Sequence, residues 1–406
     1  MTMARNQTTI PGSSAYDTIV VGLGAMGSAT LMQLAKRGQR VLGLDRWNPP
    51  HAWGSTHGET RITRCAIGEG EAYVPLVLRS HEIWRSLEAE TGMALLDQCG
   101  ALILAPGDST ATIHGKENFV RRTIAAAERF DIPHEMLDAA EAMRRFPQFR
   151  LQGNEVCYFE PVGGYVRPER CIEAQLTVAR RHGAAVQGNT QVAGITRSGA
   201  GVCVQTTDGA RFHAAEAVLA AGTWSAGLLG GAADGLLSPH MSIGRQVLHW
   251  FGVDAPGQYA PGRFPVFIWM HGNGPEDSMY GFPILPGSEG VKVAREQYTH
   301  VTADPDALDR SVSQAEQAAM SAEHLAGRLP GLQGAPLRSV VCPYTNTPDG
   351  DFLIARDPGN DRVLLVSACS GHGFKHSAGL GEAVAATVVD GGRALSVFGA
   401  GRLQAA

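Results

Sequence analysis

The sequence predicts an α/β (α+β) protein: a Rossmann-like dinucleotide-binding domain with a second, discontinuous mixed-sheet domain. Two observations carry this. The apolar run Thr18-Ile19-Val20-Val21 leads straight into Gly22-Leu23-Gly24-Ala25-Met26-Gly27. Pieces of the same strand-turn-helix kind recur in the middle and at the end of the chain, with strand-rich stretches between them. The 406 residues, 44% hydrophobic and 18% charged, suffice for two or three domain-sized units with a large core.

The first element is a strand over 16–21, followed by a glycine turn and a helix over 25–37 that Gly38 stops. A second strand, 40–44, ends in Asp45 beside Arg46. This is a GxGxxG turn in its βαβ setting with an acid at the tip of the second strand. Gly22 serves the tight turn, Gly24 lets backbone approach a pyrophosphate, and Gly27 lets helix and strand pack closely. The helix N-terminus at Ala25 and Met26 offers free N–H groups to phosphates, and Asp45 can accept from a ribose.

A long loop, 47–70, follows and is rich in Pro, Gly, His and Arg, which suits a functional loop. Then come a helix over 72–92, a strand over 100–104 and a helical pattern over 112–146. A helix near 170–183 leads to a strand at 184–187, and a hairpin turns at Asp208-Gly209. The strand 214–221 runs into Gly222-Thr223-Trp224, a second place for backbone to approach a cofactor. Residues 240–300 read as strands, 304–330 as helix, and 363–367 as a strand before a helix over 377–390. The expected boundaries are 16–90, 150–235 and 335–395 for the nucleotide domain and 91–149 with 236–334 for the other. Residues 1–15 read as a mobile tail without the apolar region of a secretory signal.

Net charge is −5 and there is no long basic run, which argues against nucleic acid as a partner. No stretch of about 18 apolar residues marks a membrane span. The seven cysteines are odd in number and form no CxxC pair, which points to a reducing, cytoplasmic setting and against a metal site.

Four local constellations are candidates for chemistry. In His57-Gly58-Glu59-Thr60-Arg61-Ile62-Thr63-Arg64, two permanent cations can grip a carboxylate. Ser370-Gly371-His372-Gly373-Phe374-Lys375 is a second glycine turn opening a helix, able to stabilise negative charge on a reduced ring. Lys375 in that first turn suggests an anionic ligand; the alternative is a snorkelling lysine. Lys292 lies mid-strand, pointing either inward with a perturbed pKa or outward to water. Cys342, in Cys342-Pro343-Tyr344-Thr345, reads locally as a small buried hydrophobe.

Together these segments resemble the monomeric sarcosine oxidase and N-methyltryptophan oxidase family of flavoproteins over about 16–393. The carriers are the loop from Pro49-Pro50-His51 through Ser55 to Arg64, Gly68-Glu69-Gly70, Tyr280-Gly281-Phe282-Pro283, Lys292, and the segments at 342–352 and 370–375. The resemblance implies an FAD-binding domain, a substrate domain and a cofactor of FAD held through a covalent bond at Cys342. It implies that Arg64 and Lys375 hold a substrate carboxylate, that Lys292 activates oxygen, and that Tyr280 and Tyr344 flank the substrate. Ser55, His57, Thr60 and Arg61 join the FAD contacts, with Val192, Gly222, Trp224 and the turn Gly371, His372, Gly373, Phe374. The implied reaction is oxidation of a secondary amine or N-methyl amino acid by a monomeric, cytoplasmic enzyme, giving an imine and H2O2. Oxidation of a cyclic secondary amino acid such as pipecolate, or of a glycated amino acid, is an alternative. A flavoprotein dehydrogenase subunit and an NAD-dependent dehydrogenase are more distant ones.

One departure stands out. Where relatives carry histidine four residues after the lysine, this chain has Glu296, which could pair with Arg295 or with a cationic substrate. A substrate other than sarcosine, bulkier or cyclic, is the expectation that follows. Equal kcat/KM for sarcosine in the wild type and in Glu296→His would sink it.

Overall fold

The computed structural model describes residues 16–229, 237–332, 334–391 and 395–403. The expected tail, 1–15, lies outside them. Two large sheets organise the chain.

The first sheet has eight strands. At its centre Tyr16–Val21 runs parallel to Val41–Leu44 on one side and to Arg211–Leu219 on the other. Ala185–Gln187 extends the first edge, in parallel with Val41–Leu44. Beyond Arg211–Leu219 lie the antiparallel strands Gly201–Thr206 and Val192–Ser198. Its C-terminal half instead pairs in parallel with Asn360–Ser367, which carries Leu353–Asp357. Ile19, Val20, Val21, Leu42 and Leu44 are all buried, as a parallel strand covered on both faces requires. The helices Ala25–Lys36, Pro168–Arg181 and Ser377–Asp390 pack together against this sheet, and Val74–Thr91 packs on the last of them.

The second sheet has nine strands. Ser242–Phe251 pairs with Val291–Ala294, which continues through Ser278–Gly281 and Val266–Met270 to Ala101–Pro106. An aromatic core of Phe149, Phe251, Phe264, Phe267 and Trp269 covers one face. Two strands fall outside their expected domain. Glu155–Glu160 pairs with Ala101–Pro106, and Arg338–Asn346 pairs with Ser242–Phe251 over nine positions. Both join the second sheet because long antiparallel partners are there to satisfy their backbone groups.

A small third sheet joins Arg61–Thr63 to Gly164–Val166 and Leu96–Asp97, which stiffens the arginine-bearing loop. The helical reading of 112–146 is interrupted. Pro133 follows the helix Phe119–Arg129, and Glu135–Leu137 pairs as a strand before Ala139–Arg145. In 304–330, Pro305 limits the start to a short 3-10 turn, and helix begins only at Gln314 behind a Ser313 capping box. Among the described residues no helix is long and apolar enough to cross a membrane, and no group of three or more ligand-type side chains could hold a metal ion.

Candidate active site

The glycine turn is built by close backbone approach. Gly22 has φ 89° and its N–H donates to Leu44 O at 2.8 Å. A Cβ on Gly27 would sit 1.7 Å from Gly22 O, so only glycine fits there. A Cβ on Gly24 would meet only Thr56 Oγ1, at 3.6 Å. Gly24 therefore faces open space, a trench of about 550 Å³ along the end of the first sheet.

The trench is lined by Gly22, Gly24, Ala25, Met26, Asp45 and Arg46, then Ser55, Arg61, Val192, Gly222 and Trp224, and finally Gly371, Gly373 and Phe374. Thr56 and Thr345, inside motifs already noted, also line it, as do Thr190, Asp306 and Cys369, which nothing in the local sequence singled out. The Thr223 and Thr345 hydroxyls on its wall are buried without a protein partner, and Gly24 leaves a cradle beside a helix N-terminus. These features fit a dinucleotide such as FAD. Asp45 Oδ2 accepts from Leu23 N at 2.8 Å, and Oδ1 accepts from Trp47 N at 2.9 Å. It ties the strand end to the turn and keeps lone pairs for a ribose.

Four expected cofactor residues line neither cavity. Gly27 acts through packing. His57 and Thr60 are buried behind the wall, and burial, then Arg61, pushes the His57 pKa down to about 3. The Cys342 thiol is also buried, 3.4 Å from Arg61 Nη2 and 3.6 Å from Ser55 O. Burial raises its pKa and Arg61 opposes that. Ser55 and Arg61 both face the trench, so the thiol stands directly behind its lining.

A second cavity, about 70 Å³, shares Arg61, Tyr344, Gly371 and Phe374 with the trench. Its walls bring together Arg64, Lys375, Lys292, Tyr280, Glu296 and His372 from across the chain. Lys292 points inward: it is 1% exposed, donates to Gly58 O at 2.8 Å and Thr60 O at 2.7 Å, and lies 3.9 Å over the Phe282 ring. Burial, then Arg61, lowers its pKa well below the usual lysine range, while both carbonyls and the ring favour the ammonium. Its third N–H is left for the cavity. Tyr280 and Tyr344 approach hydroxyl to hydroxyl at 3.2 Å.

The cations at the other end are paired. Arg64 donates to Ala66 O and to Glu69 Oε2 at 2.6 Å. Lys375 donates to Glu69 Oε1 at 3.2 Å and His372 O at 2.9 Å. Burial lowers the Lys375 pKa to about 8, against the pull of Glu69. Lys375 is thus a buried cavity group and no snorkelling lysine. Glu69 itself, raised by burial, is carried well below the carboxylate range by Arg64 and Lys375.

Glu296 does not pair with Arg295. Its oxygens meet His114 Nε2 at 2.7 Å and Tyr298 OH at 2.6 Å, whereas Arg295 pairs with Glu276. His114 carries no sequence signal, lying 182 positions from its partner. Burial opposes its charge, but Glu296 and Glu69 outweigh this and raise its pKa to about 9.

A glycine-turn trench opening onto a cationic cavity through four shared residues defines a dinucleotide-dependent oxidoreductase. The chain belongs to the DAO family, FAD dependent oxidoreductases, whose model matches residues 17–387. It is similar to the monomeric sarcosine oxidase of Streptomyces avermitilis, at 38% identity over 97% of this chain and 99% of that one. It is also similar to the N-methyl-L-tryptophan oxidase of Salmonella agona, at 34% identity over 91% of this chain and 94% of that protein. Among solved structures, NikD, an unusual amino acid oxidase essential for nikkomycin biosynthesis, superposes with a TM-score of 0.79 at 24% identity, covering 95% of this chain and 98% of that one. That likeness supports the fold.

Proposed function

We propose that this FAD-dependent enzyme oxidises the C–N bond of a small secondary amine bearing a carboxylate, an N-methyl amino acid, to an imine. Water then splits the imine into an aldehyde and an amine. The observation that carries this reading is the convergence of Arg64, Lys375 and Lys292 on one cavity that shares its wall with the trench. The names of the two curated relatives, an oxidase of sarcosine and one of N-methyl-L-tryptophan, support it.

Bound in the trench, FAD supplies the acceptor for two electrons and passes them to O2, giving H2O2. The chain's own residues bind and orient. Arg64 and Lys375 grip the substrate carboxylate with charge-assisted hydrogen bonds, exchanging part of their pairing with Glu69. Tyr280 and Tyr344 flank the amine. Lys292 holds a proton and positive charge at the edge of the cavity, which favours anionic oxygen species. Gly22, Gly24, Ala25, Met26, Asp45 and Arg46 would hold the pyrophosphate and ribose side, with Val192, Gly222 and Trp224 further along the trench. Ser55, Arg61 and the turn at 371–374 would hold the ring side, and the Cys342 thiol, beside Arg61 and Ser55, would carry the covalent link. The cavity, about 70 Å³, favours a compact substrate, against the bulkier or cyclic one expected from Glu296. In this reading the enzyme is a cytoplasmic monomer, and its seven free cysteines suit a reducing compartment.

One purification tests the reading. The protein is expected to be yellow, to release peroxide with N-methyl amino acids faster than with cyclic or glycated amines, and to keep its colour in the acid-precipitated pellet. A colourless protein, or a yellow one giving no peroxide with any amine, overturns the reading; a white pellet under a yellow supernatant overturns attachment at Cys342.

A further inference from the structure

His114 sits on the loop before the helix Phe119–Arg129, and both of its ring nitrogens face carboxylates. Nε2 lies 2.7 Å from Glu296 Oε1 and Nδ1 lies 3.3 Å from Glu69 Oε1. Nε2 hydrogen-bonds Glu296, whereas Nδ1 approaches Glu69 as an ion-pair contact without hydrogen-bond geometry; two buried carboxylates at this range favour the imidazolium. The ring is held in place by its neighbours: a Cβ on Gly371 would come within 2.7 Å of Nε2, and the His372 ring lies 4.9 Å away. His372 is kept neutral by burial, so it adds no charge.

The buried groups linked by these contacts are then the cations Arg64, Lys375 and His114 and the carboxylates Glu69 and Glu296. That leaves one positive charge in excess, which an incoming monocarboxylate would cancel. Without His114 the linked set would be neutral, and the same ligand would leave one negative charge in it, with Arg61 and Lys292 across the cavity as the remaining cations; an uncompensated buried charge is unfavourable in a poorly solvated site.

We propose that His114 is a specificity-determining residue, counter-charging Glu69 and Glu296 so that Arg64 and Lys375, which share Glu69, can still grip a substrate carboxylate. The inference rests on the reading of Arg64 and Lys375 as the carboxylate grip. Glu296 is then no anchor for a cationic substrate; it sets the cavity's charge together with His114.

The test uses the flavin-bound enzyme and two isosteric probes, propionate and propionamide, with binding read from the flavin absorption spectrum. Wild type is expected to prefer propionate. His114→Gln should weaken propionate by about tenfold or more and propionamide by less than about twofold. His114→Gln with Glu296→Gln restores the excess positive charge and should bring propionate back to within about threefold of wild type. Glu296→Gln alone, should the histidine variant not fold, is expected to tighten propionate and leave propionamide unchanged. Equal weakening of both probes, absence of rescue, or weaker propionate binding in Glu296→Gln overturns the proposal. A wild type that does not distinguish the probes overturns the carboxylate grip and the proposal with it. A preference that survives His114→Gln overturns only the role of His114.

Discussion

The trench and the small cavity share four residues, yet they are built by opposite means. The trench is shaped mainly by backbone: glycines, of which Gly22, Gly371 and Gly373 have no room for a Cβ, strand ends, and a helix N-terminus. The cavity is shaped by charged side chains from distant segments that pair with one another away from water. The trench therefore depends on local geometry and tolerates little change of volume. The cavity depends on a charge balance, which one substitution can upset and a second can repair.

The sharpest way to break the contrast is within the glycine turn. Gly27→Ala pushes a methyl to 1.7 Å from Gly22 O and 2.9 Å from Gly22 C, backbone atoms that cannot swing aside, with Val20 Cγ1 at 3.3 Å. The expected loss exceeds the about 1–3 kcal/mol usual for overpacking, and the variant should be insoluble or colourless. Gly24→Ala has room, with Thr56 Oγ1 at 3.6 Å, but its methyl enters the trench. It should fold with a Tm close to wild type and carry little flavin. Thermal unfolding and visible absorbance separate the two; similar behaviour of both variants would contradict the assignment of Gly24 to ligand and Gly27 to packing.

The same contrast explains what was legible in the sequence. The βαβ unit was readable because glycine spacing, apolar run and acid lie within one local stretch, and the helix 377–390 matches its expected bounds. Lys292 was ambiguous because its strand is buried along its whole length, so alternation gives no outward face. Cys342 had no local signal; only the family resemblance singled it out. The pairing of Glu296 with Arg295 failed for a simple reason. Neighbouring side chains leave an extended segment on opposite sides, and Arg295 turned to Glu276 while Glu296 turned into the cavity. Sheet membership of Glu155–Glu160 and Arg338–Asn346 was not local information either, since an apolar run suits either sheet.

The cavity's charge balance gives it a pH dependence. Burial lowers the Lys375 pKa to about 8, so raising the pH removes its proton and its hold on a carboxylate. His114, raised to about 9 by Glu296 and Glu69, loses its proton next and removes positive charge in the same direction. Glu69 and Glu296, whose pKa values are lowered, are already ionised. The KM for a carboxylate-bearing substrate should therefore be flat below about pH 7.5 and rise by about tenfold or more towards pH 9.5. In Lys375→Met the lower limb should vanish and leave a rise centred near His114's value. A KM that falls with rising pH would reverse the sign and remove the argument.

The smallest effect is expected where the trench has an ion pair of its own. Asp306, on the 3-10 turn Pro305–Ala307, accepts from Arg46 Nη1 at 2.8 Å and from Trp224 Nε1 at 2.9 Å, bridging the trench mouth. Its side chain is 52% exposed, so water and salt screen the pair; Glu69, at 0%, has no such screening. Exposed pairs contribute about 0.2–1 kcal/mol, and Asp306→Asn should lower Tm by no more than about 2 °C. The difference should shrink further in 0.5 M salt, on the order of a 4 Å screening length. Glu69→Gln, by contrast, leaves Arg64 and Lys375 short of a buried counter-charge, a loss of about 3–5 kcal/mol that salt should not touch. A salt-insensitive defect in Asp306→Asn would mean that the mouth of the trench is drier than its exposure indicates, and that charge governs both regions after all.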